Sequence, residues 1–193
     1  MRLTLKELQD IYWRQLMILL GHNPNDEDQQ DKVRLAYQED SQPFHDYRRN
    51  VCYFYVQAAD DPINRQIDTT YSPIDETKTK QINSYNRVIT LDIVLYGPDA
   101  YDQAVLLRMD LLEPTLNWDL AAKGLYIIPD IAEPQQMWEP YNNKWWPRVD
   151  MQVRYNNLVT DERHEVYYLT AADITVVSEQ QEREVSIDTK EGE

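Results

Sequence analysis

The chain has 193 residues and a mass of 23.0 kDa, enough for one domain that buries roughly 70% of its extended surface. Its formal net charge of -15 and pI near 4.5 repel phosphate and argue against a conventional nucleic-acid binder. With 14 Tyr, 5 Trp and a mean hydropathy of -0.70, much of the apolar supply carries a polar handle, a composition suited to surfaces that are wet on one side and covered on the other.

Cys52 is the sole cysteine, which rules out a disulfide within the chain and fits a buried, inert thiol. No window reaches the apolar length of a membrane span, and the N-terminus lacks a signal-peptide pattern. The cytoplasm is the expected site of synthesis and assembly.

Residues 4–20 read as a helix. Thr4 and Glu7 form a capping box, Leu5, Leu8, Ile11, Tyr12, Leu16, Leu19 and Leu20 recur at helical spacing, and Gly21 supplies a left-handed stop. The run NPNDEDQQD reads as a solvated loop and VRLAY as a short strand. VCYFYVQA (51–58) and RVITLDIVLY (87–96) are dense in β-branched and aromatic residues and read as strands.

Between those strands, residues 60–86 form a polar stretch longer than compact domains ordinarily use as a connection. It is expected to be an extended loop or arm. Its apolar residues Ile63, Ile67, Tyr71, Ile74 and Ile82 either anchor it on a neighbouring surface or staple a hairpin onto its own domain.

Pro98 opens a second helix whose apolar face is expected to be Tyr101, Ala104, Val105, Leu111 and Leu112, interrupted by Arg108. A short helix ending before Gly124, a brief strand LYII and a proline-held extended segment around Trp138 and Tyr141 come next. In NKWWPRVDMQVRYNN the alternation puts Trp145, Val149, Met151, Val153 and Tyr155 on one face and Trp146, Arg148, Asp150, Gln152 and Arg154 on the other. This predicts Trp145 in the core. Trp146 is either offered outward beside Arg148 as an interface anchor or covered by a loop folding back. HEVYYLTAADITVV closes the sheet, and residues 179–193 form an acidic tail expected to be loose.

The fold expected is α+β: a single domain over residues 1–178, with a mixed, mainly antiparallel sheet packed by the N-terminal helix and the central helix. Residues 60–86 are its long loop or arm.

Motifs for chemistry are sparse. His22, His45 and His164 have no ligand spacing, and nucleophile-elbow, P-loop and dinucleotide-glycine patterns are missing. No catalytic, cofactor or metal residues are assigned, and no enzymatic activity is expected. The enzymatic alternative is a metal-dependent nuclease using Asp130, Glu139, Asp150 and Asp173, carboxylates near predicted strands that can hold magnesium. Such positions arise by chance among 34 acidic residues.

Taken in order, DDPINRQ, VITLDIVLYGPDAYDQAVLLR, LYIIPDI and NNKWWPRVDMQVRYNN resemble the neck or tail terminator proteins of tailed bacteriophages. In that family a strand ending in Y-G-P leads into a helix, and a later W-W-x-R-V-D strand ends in an asparagine pair. The matching positions are Tyr96, Gly97 and Pro98, then Trp145, Trp146, Arg148, Val149 and Asp150, then Asn156 and Asn157. Pro147 departs from the pattern, which carries a polar or acidic residue there. The similarity covers roughly residues 4–178.

The resemblance implies a structural virion protein of the neck. Copies would form a hexameric ring that ends the tail tube, meets the tube protein on one side and the head-side connector or stopper on the other, and lets double-stranded DNA pass transiently. No membrane and no cofactor are implied. Interface candidates are Trp138, Tyr141, Trp146, Arg148, Ile67, Tyr71 and Ile74. Rival readings are a head-completion stopper or adaptor on the portal side, and a monomeric adaptor or toxin-type module with one soluble partner.

Overall fold

The computed structural model describes residues 2–37, 46, 48–75, 78–141, 143–167, 171–178 and 181–188, with side chains up to Glu162 apart from Tyr141. The fold is α+β, as expected, with a mostly antiparallel sheet and helices on one face. Two compact units are distinguished, residues 1–66 with 85–159 and residues 67–84 with 160–193.

In the first unit, α1 (Leu5–Leu19) begins at a complete capping box: Glu7 N–H donates to Thr4 Oγ1 at 3.3 Å, and Thr4 N–H donates to Glu7 Oε2 at 2.8 Å. These bonds hold the Glu7 carboxyl below its ordinary range, the backbone donor first. The helix ends in a Schellman motif, with His22 N–H on Met17 O at 2.8 Å and Gly21 N–H on Ile18 O at 3.0 Å, and Gly21 at φ 77°. Leu8, Tyr12, Leu16 and Met17 form its buried stripe.

The strands of this unit are β1 (Val33–Leu35), β2 (Val51–Ala58), most of β4 (Lys78–Tyr96), β5 (Leu125–Ile128), β6 (Gln135–Tyr141) and the start of β7 (Lys144–Tyr167). The β3 strand (Asp68–Pro73) is in the second unit. Sheet order is β1-β2-β4-β7-β5, with β6 also on β7. β1 runs parallel to β2, while β2 pairs antiparallel with β4 from Val51↔Tyr96 to Ala58↔Ile89. That register puts Cys52, Phe54, Val56, Leu91, Ile93 and Leu95 on one face, joined by Val149, Met151, Val153 and Tyr155 of β7 in one core cluster. Each fully buried aliphatic or aromatic side chain there contributes about 1.5–3 kcal/mol. Burial pushes the Cys52 thiol up to about 12, so it is the inert core group expected.

The central helix, α2 (Ala100–Leu112), corrects one expectation. Its buried residues are Ala100, Ala104, Leu107 and Leu111, while Tyr101 and Leu112 are exposed. The helix is rotated by one residue from the predicted face, which moves Arg108 to the rim of the core. There its Nε donates to Ile131 O at 3.1 Å and its guanidinium pairs with Glu133 at 3.1 Å. Burying that charge at the centre of the seam would have cost more than exposing two apolar residues. The short α3 (Trp118–Ala122) ends before Gly124, as read from the sequence.

In the second unit, β3 pairs antiparallel with the first part of β4 from Asp68↔Ser84 to Pro73↔Thr79. The expected loop at 60–86 is therefore largely a hairpin, preceded by a 3-10 turn at Pro62–Arg65. Threonines and Tyr71 favour extended backbone, and Asp75 closes the turn by accepting from Lys78 N–H at 2.7 Å. Lys80 and Glu162 pair at 2.6 Å, the lysine drawing the Glu162 carboxyl below its ordinary range. The strands β8 (Ala171–Ser178) and β9 (Gln181–Asp188) form an antiparallel pair. This corrects the loose tail expected from residue 179. The register sets Val185 opposite Ile174 and Ile187 opposite Ala172. Residues 179–180 and 189–193 of that expected tail lie outside the described residues.

Candidate interaction surface

Helices cover one face of the sheet, and the opposite face carries the polar positions of β2, β4 and β7, an arrangement open to antiparallel sheets. A groove of about 640 Å³ runs over it, lined in part by Tyr37, Tyr53, Tyr55, Asp92 and Arg148. Tyr37 meets Tyr55 edge-on at 5.2 Å between centroids, and Tyr53 meets Tyr96 at 5.9 Å. Asp92 accepts from Gln57 at 3.0 Å and from Gln152 at 2.7 Å, so it spans three strands.

Arg148 organises one end of this face. Its Nε and Nη2 grip Asp150 at 2.6 and 3.0 Å, and Nη1 lies 3.5 Å from Glu139, which also accepts from Tyr96 Oη at 2.7 Å. The Asp150 hydrogen bond raises the Arg148 pKa further, while burial and then the Glu139 contact push the Tyr96 hydroxyl well above its ordinary value. The bidentate grip fixes the side chain at the base of the β6–β7 hairpin.

That hairpin pairs Gln135↔Asp150 through Tyr141↔Lys144, with Asn143 at φ 59° just before β7. Asparagine tolerates that left-handed conformation better than most residues. Opposed residues share a face, so Trp138, Pro140, Trp145 and Pro147 lie on the face that carries Val149 further along β7. Trp138 is 58% and Trp145 67% exposed.

This overturns the core position predicted for Trp145. The alternation holds, but burial fades along β7 from Val149 through half-buried Pro147 to the turn, because the covering elements stop short of the tip. Trp146, for which the sequence leaves both an outward anchor and cover by a folded-back loop open, is half-buried opposite Glu139 on the other face.

The remaining interface candidates fall into two groups. Ile67, Tyr71 and Ile74 are exposed on or beside the β3–β4 hairpin, where every residue of Asp68–Pro73 is exposed. Tyr141 ends β6, its side chain outside the described set. Periodicity missed Trp145, Leu106, Met109 and Trp118, which are all more than half exposed. The signal for α2 was the 102, 106, 109, 113 spacing, two apolar residues between two carboxylates.

Of the four carboxylates weighed for metal chemistry, Glu139 and Asp150 do meet, but on the Arg148 guanidinium. Asp130 faces Arg154 at 3.3 Å, and the Asp173 side chain lies outside the described residues. Among the described residues no group of three or more His, Cys, Asp or Glu is placed to hold a metal ion. No helix among them is long and apolar enough to cross a membrane.

A family model described as phage neck terminator protein matches residues 6–186, nearly the whole chain. The chain belongs to the phage neck terminator family. Its match extends past residue 178, where the resemblance read from the motifs ends, and takes in β8 and most of β9. Among curated proteins none matches significantly. Membership makes the protein a structural component of the phage neck and places it in the virion.

Proposed function

We propose that copies of this neck terminator protein close into a hexameric ring that ends the tail tube, joins it to the head-side connector and leaves a passage for double-stranded DNA. Residues 1–178 would supply the body of the ring subunit and residues 60–86 its arm. Assembly would take place in the host cytoplasm. A closed ring needs a different patch towards each neighbour. The observation that carries the reading is that exposed tryptophans and isoleucines gather on two hairpins, with Trp138 and Trp145 on one and Ile67, Tyr71 and Ile74 by the other. Tryptophan and tyrosine dominate the energetics of such contacts.

Charge supports the same role, since a net charge of -15 on balance repels a phosphate backbone in transit. The chemistry proposed is none: the ring works by binding alone.

Electron microscopy of particles made without the protein tests this. Overlong, ragged tubes are expected. Tails of normal length beside unattached heads would instead assign the protein to the head side, as a stopper. Turnover of a phosphodiester substrate on magnesium titration would overturn the non-catalytic role.

A further inference from the structure

We propose that the tip of the β6–β7 hairpin packs on the exposed stripe of α2 in the next copy, and that this knob-on-stripe contact is what makes the assembly run in one direction. The inference rests on the ring reading and deepens it by naming the two surfaces that meet.

The knob is a built apolar face. Trp138 and Trp145 are diagonal neighbours across β6 and β7, flanked on the same face by Pro140 and Pro147, within the roughly 7–8 Å at which large side chains on diagonal positions still touch. The prolines lack the N–H donor that would otherwise need an outlet at a covered edge. On the opposite face Tyr96 of β4 donates to Glu139 of β6 at 2.7 Å, so the hairpin is tied to a further strand before it meets a partner.

The stripe is Asp102, Leu106 and Met109, spaced four and three along one line of α2, with Glu113 following as the C-cap, its carboxylate accepting from Thr115. Leu106 is 60% and Met109 62% exposed, and both carboxylates are exposed. Leucine and methionine offer an adaptable apolar bed.

Charge selects which patch meets which. Exposed Lys144 stands at the hairpin turn, whereas carboxylates close both ends of the stripe. Knob against knob would bring lysines together, and stripe against stripe would bring four carboxylates together. Only knob on stripe juxtaposes opposite charges, the decisive matter for copies that each carry -15. A contact between unlike patches of identical chains is heterologous, the type that propagates around a ring.

The test uses two variants of the full chain, Trp138→Ala/Trp145→Ala and Leu106→Ser/Met109→Ser, followed by sedimentation velocity, with circular dichroism to show that both keep the native fold. Each variant alone is expected to associate roughly thirtyfold or more weakly, as on losing an interface hot spot. An equimolar mixture should give a dimer, since one wild-type junction can form between the two variants, and no closed ring.

Wild-type-like assembly of either variant would overturn this contact while leaving the ring reading intact, as would a mixture that stays monomeric. A wild-type chain that never associates would overturn the ring reading and this contact with it. A second measurement keeps the idea testable if a variant misfolds. With Cys52 buried, oxidation of an Asp102→Cys/Gln136→Cys chain, which keeps Trp138, Trp145, Leu106 and Met109 and uses two exposed positions beside them, should give a ladder of disulfide-linked oligomers, and a lack of that ladder would also count against the contact.

Discussion

Gly97 holds the end of β4 against the chain that enters β2. At φ 124° a Cβ there would come within 2.7 Å of Asn50 Cα and 2.9 Å of Arg49 O, backbone that cannot step aside. The close approach lets Asn50 donate to Asp99 Oδ2 at 3.1 Å and accept from Asp99 N–H at 3.2 Å, fixing the turn into α2. Gly97→Ala is expected to cost about 2–4 kcal/mol, from backbone strain plus overpacking, read as a lowered urea midpoint. Gly21→Ala, with open space around the Cβ position, should cost only about 1–2 kcal/mol for the left-handed backbone. The glycine of Y-G-P is legible in the sequence as part of a pattern, but its reason is not, because Asn50 is 47 positions away in the chain. Asn157, the second of the asparagine pair, is explained in the same way. It accepts from Arg87 at 2.7 Å and donates to Gly124 O at 3.3 Å, tying β7 to β4 and to the start of β5.

Tyr12 and Tyr155 belong to the residue scale as well. Their rings pack at 5.0 Å, and neither hydroxyl has a hydrogen-bond partner among the described residues. Burial pushes both hydroxyls above their ordinary value of 10.0. A folded-state pKa above the unfolded one means that the stabilisation is complete below about pH 10 and is lost as pH rises past it. Alkaline unfolding should therefore coincide with ionisation of these two tyrosines. Tyr12→Phe/Tyr155→Phe should be neutral or stabilising by up to about 1 kcal/mol at pH 7, and its alkaline unfolding midpoint should move upward. A gradual ionisation that leaves the native circular dichroism intact would contradict the assignment.

Among the elements, those with local punctuation are the legible ones. Thr4, Glu7 and Gly21 announce both ends of α1, and the alternation of β2 and β4 survives intact in the fold. The α2 face differs by one residue from its periodicity because periodicity alone does not say where Arg108 finds its partners, Ile131 and Glu133. Trp145 lies outside the core because alternation gives the face of a strand without saying how far the cover extends. The β9 strand escapes a reading by composition since its two branched aliphatics lie among charged residues, and pairing with β8 is a non-local fact.

The β3–β4 hairpin carries a prediction of its own. An edge strand exposed along its whole length, as β3 is, gains little from its own apolar residues. None of Ile67, Tyr71 and Ile74 is in the core cluster, so Ile67→Ser/Tyr71→Ser/Ile74→Ser should shift thermal stability by no more than about 0.5 kcal/mol. Assembly should nevertheless weaken, seen as a lower sedimentation coefficient at a given concentration. Undiminished assembly would remove the hairpin from the interface.

At the scale of the whole molecule, the charge that keeps free subunits apart is the term assembly must overcome. Each copy carries -15 at pH 7, and copies in the proposed ring would stand close enough for those charges to interact through a Debye length of about 10 Å at 0.1 M salt. The Lys144 contact proposed for the hairpin tip is short-ranged and involves few charges, whereas the repulsion sums over the surface. Raising salt from about 0.05 to 0.3 M should therefore strengthen association, the opposite of the response of a phosphate-binding protein, whose affinity falls with salt. The two responses separate cleanly in one experiment: sedimentation of the protein alone should shift towards larger species with salt, while duplex DNA added at low salt should not co-sediment. Association that weakens with salt would mean that attraction between patches outweighs the net repulsion. The carboxylates would then be acting as partners in assembly, and no longer as the charge that keeps copies and DNA apart.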